Sequence, residues 1–171
     1  MSEKQLIYLD NNATTRVAPE VVEAMLPCLT EHWGNPSSAY SLAAEPARLI
    51  EKAREDVARL IGANSRNIVF TSCGTESNNA ALQGATLANP AKRHVVTTAV
   101  EHSANIKFCR QLEKRGYEVT HLPVDLDGAI DLCDLQAAIR QDTAIVSIMW
   151  ANNETGVLFP IEEIAAICRS H

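Results

Sequence analysis

Apolar side chains recur every three or four residues in the first third of the chain, which predicts two helices. The first helix opens at Pro19, and its apolar positions are Val21, Val22, Met25, Leu26 and Leu29. The second follows the loop at residues 34–38, holds Pro46 in its first turn and ends at Gly62. Its apolar positions are Leu42, Leu49, Ile50, Ala53, Val57, Leu60 and Ile61. Ahead of both helices, residues 6–10 predict a short strand or an extended arm.

After residue 62, short β-branched runs alternate with amphipathic stretches of helix length. Strands are predicted at residues 68–71, 94–97, 118–124 and 144–149. Helices are predicted at residues 76–87, 104–115, 132–139 and 161–171. This alternation is typical of βαβ units, so the sequence predicts an α/β fold with a mainly parallel sheet flanked by helices. The last helical pattern has no Gly or Pro stop, so we expect a truncated version of such a fold.

Composition and charge narrow the kinds of function to consider. The 171 residues are 46% hydrophobic and 21% charged, which is typical of a globular protein, and the net charge is −6. Without a run of Lys or Arg, nucleic acid and anionic membrane surfaces are not expected partners. The five cysteines form no Cys-x-x-Cys pair, so neither a metal site nor a disulfide framework is predicted. With no signal peptide or membrane span in the sequence, we expect small-molecule chemistry in the cytoplasm.

The first candidate binding segment runs from residue 68 to residue 77. It passes from an apolar run through Gly74 into a predicted helix, and the free N–H groups of a helix N-terminus bind anions, above all phosphate. The alternative is an ordinary capped turn, in which Ser72 or Thr75 satisfies the helix end.

Two further polar loops follow predicted strands. His102 lies just past the strand at residues 94–97, where open α/β sheets bind their ligands, although a solvated or capping histidine is the alternative. Residues 150–156 bring together two side-chain amides, a carboxylate and a glycine. Here the alternative is that Asn152 and Asn153 only support a tight turn. Residues 10–15 are also mostly polar, but they could form no more than an Asx turn, so the sequence pattern assigns them no function.

Five ordered segments together resemble the cysteine desulfurases of the NifS/IscS-like family, within the class V aminotransferases. They are Tyr8-Leu-Asp-Asn-Asn-Ala-Thr-Thr15, Gly34-Asn-Pro-Ser-Ser38, Phe70-Thr-Ser-Cys-Gly-Thr-Glu-Ser77, Glu101-His102 and Trp150-Ala-Asn-Asn-Glu-Thr-Gly156. The amino-acid sequences of the third and fifth segments resemble the nitrogen-fixation NifS branch more than the IscS branch. Tyr40 and Ala43 depart from the His and Gly that are usual in the family.

The resemblance implies part of a fold type I large domain that binds pyridoxal 5'-phosphate. Residues 1–15 would be an N-terminal arm belonging to a small domain, and residues 16–171 an incomplete cofactor-binding large domain. Family members convert L-cysteine to L-alanine and keep the sulfur as an enzyme persulfide for iron–sulfur cluster assembly. By resemblance we also expect a homodimer, and an iron–sulfur scaffold protein as the sulfur acceptor.

The resemblance also assigns roles to individual residues. Gly74 and Thr75 would hold the cofactor phosphate, and His102 would stack on its ring and assist proton transfer. Asn153 would bond the phenolic oxygen of the ring, and Asn11 would lie near the substrate. The family's Schiff-base lysine and nucleophilic cysteine have no counterpart in these 171 residues, so the chain alone is expected to be inactive.

Three alternatives to a cysteine desulfurase are left open by the sequence. The first two are a selenocysteine lyase and another class V pyridoxal-phosphate enzyme, which would share every segment quoted above. The third is a non-enzymatic remnant, or a fragment that dimerises with a full-length relative.

Overall fold

The computed structural model describes residues 7–171, and these residues divide into two compact units. The first unit ends at Phe70 and the second is Thr71–His171. Within residues 7–171, no helix is both long and apolar enough to cross a bilayer. Of the predicted segment at residues 6–10, Leu6 lies outside the described residues, and residues 7–10 form no strand.

The first unit contains the two helices that the apolar periodicity predicts. Helix α1 is Pro19–Thr30 and helix α2 is Ala44–Leu60, and both predictions are confirmed. Pro19 opens α1, where a missing N–H costs no hydrogen bond, and Pro46 lies in the first turn of α2 for the same reason. Gly62 has a φ of 66°, and this left-handed conformation follows the end of α2 as predicted.

Residues 68–71 do not form the strand that their β-branched character predicts. Among the described residues no segment pairs with them, and Val69 and Phe70 remain 78% and 50% exposed. They are held by α2 instead, because the Arg54 guanidinium donates to the Ile68 carbonyl and lies 5.0 Å from the centre of the Phe70 ring. The prediction of a strand here is wrong, since a strand needs a partner for its backbone groups.

A parallel sheet forms the centre of the second unit. Strands β1 (His94–Thr98), β2 (Glu118–Leu122) and β3 (Thr143–Ser147) are arranged in the order β2-β1-β3, with both neighbours parallel to β1. This confirms the predicted parallel βαβ arrangement. Strand β2 is two residues shorter than predicted, because Pro123 has no N–H to continue the ladder.

Four helices cover the two faces of this sheet: α3 (Gly74–Ala88), α4 (Ser103–Lys114), α5 (Leu132–Ala138) and α6 (Ile161–Arg169). Side chains alternate along a strand, so neighbouring residues of β1 enter different cores. Val95 packs with α3 and α4 through Leu82, Phe108, Cys109 and Leu112. Val96 packs on the other face with Leu122, Ile130, Leu135, Phe159 and Ile164. Helix α6 ends at Arg169, within two residues of the predicted 171, and the Ser170 hydroxyl donates to the Ile167 carbonyl just past this end.

The pairing of β1 with β3 contains one irregularity. His94 pairs with Thr143, but Val95 pairs with Ile145, so Ala144 is an extra residue on β3. Such a bulge shifts the alternation of every side chain that follows it. As a result, Ile145 faces the core around Val95 and Val146 faces the core around Val96.

His94 begins the central strand with no exposed surface. Its Nδ1 lies 2.8 Å from the Thr143 hydroxyl and its Nε2 lies 2.8 Å from the Thr120 hydroxyl. Burial lowers the pKa of the imidazole below its usual range, and the positive charge of Arg140 acts in the same direction. The native protein therefore holds His94 neutral, linking three strands through two threonine hydroxyls.

We expect the protein to lose stability as the pH falls below the ordinary histidine pKa of 6.5. The folded-state pKa lies below the unfolded one, so the unfolded chain takes up the proton first and acid favours unfolding. Urea unfolding at pH 7.5 and pH 5.5 measures this loss. His94→Asn keeps a polar side chain that does not titrate, so its free energy of unfolding should fall less over this range. An equal fall in variant and wild type would contradict this assignment.

Candidate functional site

The carboxyl edge of the parallel sheet in the second unit collects the polar loops that the sequence singles out. Strand β1 leads into residues 99–102 and then α4, and β3 leads into the loop at residues 148–160. Helix α3 precedes β1 and connects to it through only five residues, 89–93, so it runs against the strand direction. Its first residue, Gly74, therefore points toward the same edge as His102 and Asn153.

The N-terminus of α3 is open. Its N-cap residue, Cys73, makes no side-chain cap hydrogen bond, and a Cβ placed on Gly74 would meet nothing within 4 Å. The Ser72 N–H and hydroxyl both donate to the Glu76 carboxylate, at 2.7 and 2.6 Å, so Ser72 does not cap the helix. Within the described part of the chain, the first-turn N–H groups of this 15-residue helix meet only the Cys73 thiol, a weak acceptor, so the helix end remains available to an anion at Gly74 and Thr75.

His102 is the N-cap residue of α4, and its side chain is exposed. Its Nδ1 accepts from the Ala104 N–H at 3.2 Å, which confirms a capping role. Because Nδ1 accepts, the neutral ring carries its hydrogen on Nε2. The capping bond fixes the ring at the carboxyl edge without burying it, so capping and ligand contact are compatible.

The loop after β3 folds back on itself through an isolated antiparallel bridge between Ala151 and Leu158. Asn152 supports the turn, since its Oδ1 accepts from the N–H groups of Glu154 and Thr155 at 2.9 and 3.0 Å. The turn-supporting alternative is therefore confirmed for this residue. Asn153 is exposed, and its amide donates to the Glu154 carboxylate at 2.9 Å.

Glu101 is a buried acid at this edge, and the sequence alone does not predict its burial. It is 5% exposed, and its Oε1 accepts from the Met149 N–H at 2.7 Å while its Oε2 accepts from the Asn105 amide at 3.0 Å. Burial raises the pKa of the Glu101 carboxyl, and the bond from Met149 acts in the opposite direction. A carboxylate in so apolar a place is maintained only by such donors.

Asn11 belongs to the first unit and lies in an exposed turn closed by the Ala13 N–H and the Asp10 carbonyl, at 3.1 Å. The second loop of that unit begins at Gly34, where an added Cβ would lie 2.3 Å from the carbonyl oxygen of Leu42. Ala43 follows at 2% exposure, whereas Tyr40 is 53% exposed. A side chain at residue 34 would therefore require the backbone at Leu42 to move.

The described lysines are Lys52, Lys92, Lys107 and Lys114, and each side chain is exposed. Lys52 pairs with Asp56 at 2.5 Å on the surface of α2. Within residues 7–171, no group of three His, Cys, Asp or Glu side chains is arranged to hold a metal ion.

A family model described as aminotransferase class-V matches residues 7–171, nearly the whole chain. The chain belongs to the aminotransferase class-V family. The resemblance to the NifS/IscS-like members of that family is confirmed by individual relatives. Cysteine desulfurase 2 of Trichormus variabilis (strain ATCC 29413 / PCC 7937) is 58% identical over 93% of this chain and 40% of its own length.

Solved structures of similar proteins agree with the class-V assignment. A NifS-like protein superposes with a TM-score of 0.92 at 41% identity, covering 96% of this chain and 45% of that one. SspA in complex with cysteine gives a TM-score of 0.92 at 36% identity over 96% of this chain and 48% of its own. The class-V chain described here thus spans about 40% of the length of the curated relative and under half of each solved one.

Proposed function

We propose that this chain is the cofactor-anchoring part of a cysteine desulfurase that uses pyridoxal 5'-phosphate. The observation that carries the proposal is that three features lie at the same edge of one sheet: the open helix end at Gly74, the ring of His102 and the amide of Asn153. Membership of the class-V family supports the choice of cofactor.

The donors at this edge fit the chemistry of the cofactor. Its phosphate is an anion, and the first-turn N–H groups at Gly74 with the hydroxyl of Thr75 are a suitable donor set. Because Gly74 has no Cβ and open space beside it, the phosphate can approach the backbone closely. When bound, pyridoxal 5'-phosphate acts as an electron sink for the substrate, which leaves the protein to anchor, orient and tune it.

His102 and Asn153 would orient the ring. The imidazole is held by its bond to the Ala104 N–H, so it can stack without losing its own position. Its Nε2–H would donate a hydrogen bond to a bound substrate, and it would pass on a proton only from the imidazolium form, in which Nδ1 gives up the capping bond. The Asn153 amide would donate to the phenolic oxygen, and Asn11 would contribute near the substrate.

L-cysteine is the proposed substrate, and the sulfur would leave as an enzyme persulfide for iron–sulfur cluster assembly. The solved relative SspA holds cysteine, which supports this substrate class. The proposal includes a homodimer, an iron–sulfur scaffold protein as acceptor, and a cytoplasmic location. Free thiols at Cys28, Cys73, Cys109, Cys133 and Cys168 fit such a reducing compartment. The division into an arm at residues 1–15 and a large-domain part at 16–171 belongs to the same proposal.

The experiment compares cofactor binding and sulfide release from L-cysteine in the complete gene product. We expect His102→Ala and Asn153→Ala each to weaken pyridoxal-phosphate binding and to lower turnover by about tenfold or more, since each removes a group that orients the ring. The matched controls are His171→Ala and Asn89→Ala, which alter exposed residues at the opposite edge of the sheet, near the starts of β1 and β3.

Unchanged affinity and turnover in both site variants would refute their assignment. A complete gene product that binds no pyridoxal phosphate would refute the function itself. Comparing L-cysteine with L-selenocysteine as substrates separates a desulfurase from a selenocysteine lyase.

A further inference from the structure

The buried Glu101 carboxylate connects two loops that are far apart in the chain. It lies in the loop after β1, three residues beyond Thr98, and the N–H that it binds belongs to Met149, 48 positions later and just beyond β3. Its second oxygen is held by the Asn105 amide from the first turns of α4. One side chain therefore ties together a strand end, a helix and a neighbouring loop.

A second hydrogen bond joins the same two loops. The Asn152 amide donates to the Val100 carbonyl at 3.1 Å. We call this bond and the Glu101–Met149 bond the loop clamp. Because its four residues occupy positions 100–101 and 149–152, the clamp fixes the ends of both loops at two points rather than one.

Two of the four clamp residues directly precede a proposed cofactor contact. His102 follows Glu101, and Asn153 follows Asn152. We propose that Glu101 is a positioning residue that, through the loop clamp, sets the separation between the His102 ring and the Asn153 amide. This inference rests on the proposed function, because it assigns a purpose to a fixed distance between those two groups.

The choice of side chain supports a positioning role over simple packing. A buried carboxylate is costly, and an apolar side chain would fill the same space without that cost. A carboxylate has two acceptor atoms, so one oxygen takes the Met149 N–H and the other takes the Asn105 amide. Asn105 is itself 7% exposed, and its Oδ1 has no hydrogen-bond partner within the described residues.

That unused oxygen makes Glu101→Gln an informative variant. A glutamine Oε1 can keep the Met149 bond, and its Nε2 can donate to Asn105 Oδ1 once the Asn105 amide turns over. The clamp would survive without the negative charge. Glu101→Asp keeps the charge but shortens the side chain by one CH₂, so it cannot reach both donors. Glu101→Ala removes the acceptor for the Met149 N–H and leaves the Asn152–Val100 bond as the one remaining bond of the clamp.

The first measurement needs no cofactor. Hydrogen–deuterium exchange of peptides covering residues 148–156 should be faster in Glu101→Ala and Glu101→Asp than in wild type, and unchanged in Glu101→Gln. The control is Leu112→Ala, which destabilises the core between α3, α4 and β1, a core that contains no residue of either loop. Exchange of the 148–156 peptides at the wild-type rate in both Glu101→Ala and Glu101→Asp would overturn the clamp.

The second measurement is pyridoxal-phosphate affinity of the complete gene product, with visible circular dichroism as a report of ring orientation. We expect Glu101→Ala and Glu101→Asp to bind about tenfold more weakly with an altered dichroism band, because displacing an orienting group by about 1 Å has effects of at least this size. Glu101→Gln should resemble wild type. If Glu101→Ala does not fold, the comparison of Asp with Gln decides the matter alone.

The outcomes separate the inference from the function on which it rests. If the wild type binds pyridoxal phosphate and every Glu101 variant binds it with the same affinity and the same dichroism band, the positioning role is refuted and the proposed function is not. If Glu101→Asp resembled wild type and Glu101→Gln did not, charge rather than position would be the property that matters, and the inference would fail. Absence of binding in wild type would refute the proposed function.

Discussion

Leu135→Ala is expected to lower the free energy of unfolding by about 2–5 kcal/mol, the usual range when a fully buried leucine is truncated. Leu135 has no exposed surface and lies on α5 within the core that contains Val96 and Phe159. Removing its isobutyl group loses apolar burial and leaves a cavity, since the sheet behind it cannot move inward. Urea unfolding followed by far-ultraviolet circular dichroism measures the change.

The matched control for this variant is Leu126→Ala. Leu126 is fully exposed in the turn after β2, so the same chemical change there should alter stability by less than about 0.5 kcal/mol. The assignment of this core would be wrong if the two leucine variants had the same free energy of unfolding.

Cys73 is expected to react with iodoacetamide at least about a hundredfold faster than Cys109 in the native protein at pH 7, because alkylation requires an accessible thiolate. Burial raises the pKa of the Cys109 thiol to about 11, so at pH 7 only about one molecule in ten thousand carries the thiolate. The side chain also has no exposed surface. Cys73 is exposed, and the Glu76 N–H, followed by the Ser72 hydroxyl, lowers the pKa of its thiol.

Timed alkylation followed by peptide mass spectrometry measures both rates in one sample. Cys133 serves as an internal control, because it is exposed but the neighbouring Asp131 carboxylate raises the pKa of its thiol. It should therefore react more slowly than Cys73. In denaturant the differences should disappear. Rapid labelling of Cys109 without denaturant would show that the core between α3, α4 and β1 is not closed.

Local sequence pattern was sufficient to predict most helices and strands of this protein. The apolar repeats of α1 and α2 and the β-branched runs of β1 and β3 each express one dominant period, and each appears within one or two residues of its predicted place. Errors arose where the decisive partner is distant. Residues 68–71 have the composition of a strand, but a strand requires a neighbour that no local pattern supplies.

The residues of the candidate site also differ in whether a local sequence signal predicts them. Gly74 and His102 could be singled out because a glycine before a helix and a histidine after a strand are local signals. Their cofactor roles came from resemblance alone and stay predictions. Glu101 gave no signal of its burial, since an acid next to a histidine in a loop is usually solvated. Only the contact with Met149, 48 positions away, shows what it does.

Ala144 has no partner residue on β1, so β3 contains one residue more than its pairing with β1 requires. Removing Ala144 would leave Thr143 opposite His94 and Ile145 opposite Val95, now joined by an ordinary step of strand. Adding a residue further along β3 would instead exchange the side chains that face the two cores. A deletion and an insertion in β3 should therefore have different effects. Loss of the codon for Ala144 should be tolerated, whereas gain of a codon after Ile145 should be destabilising.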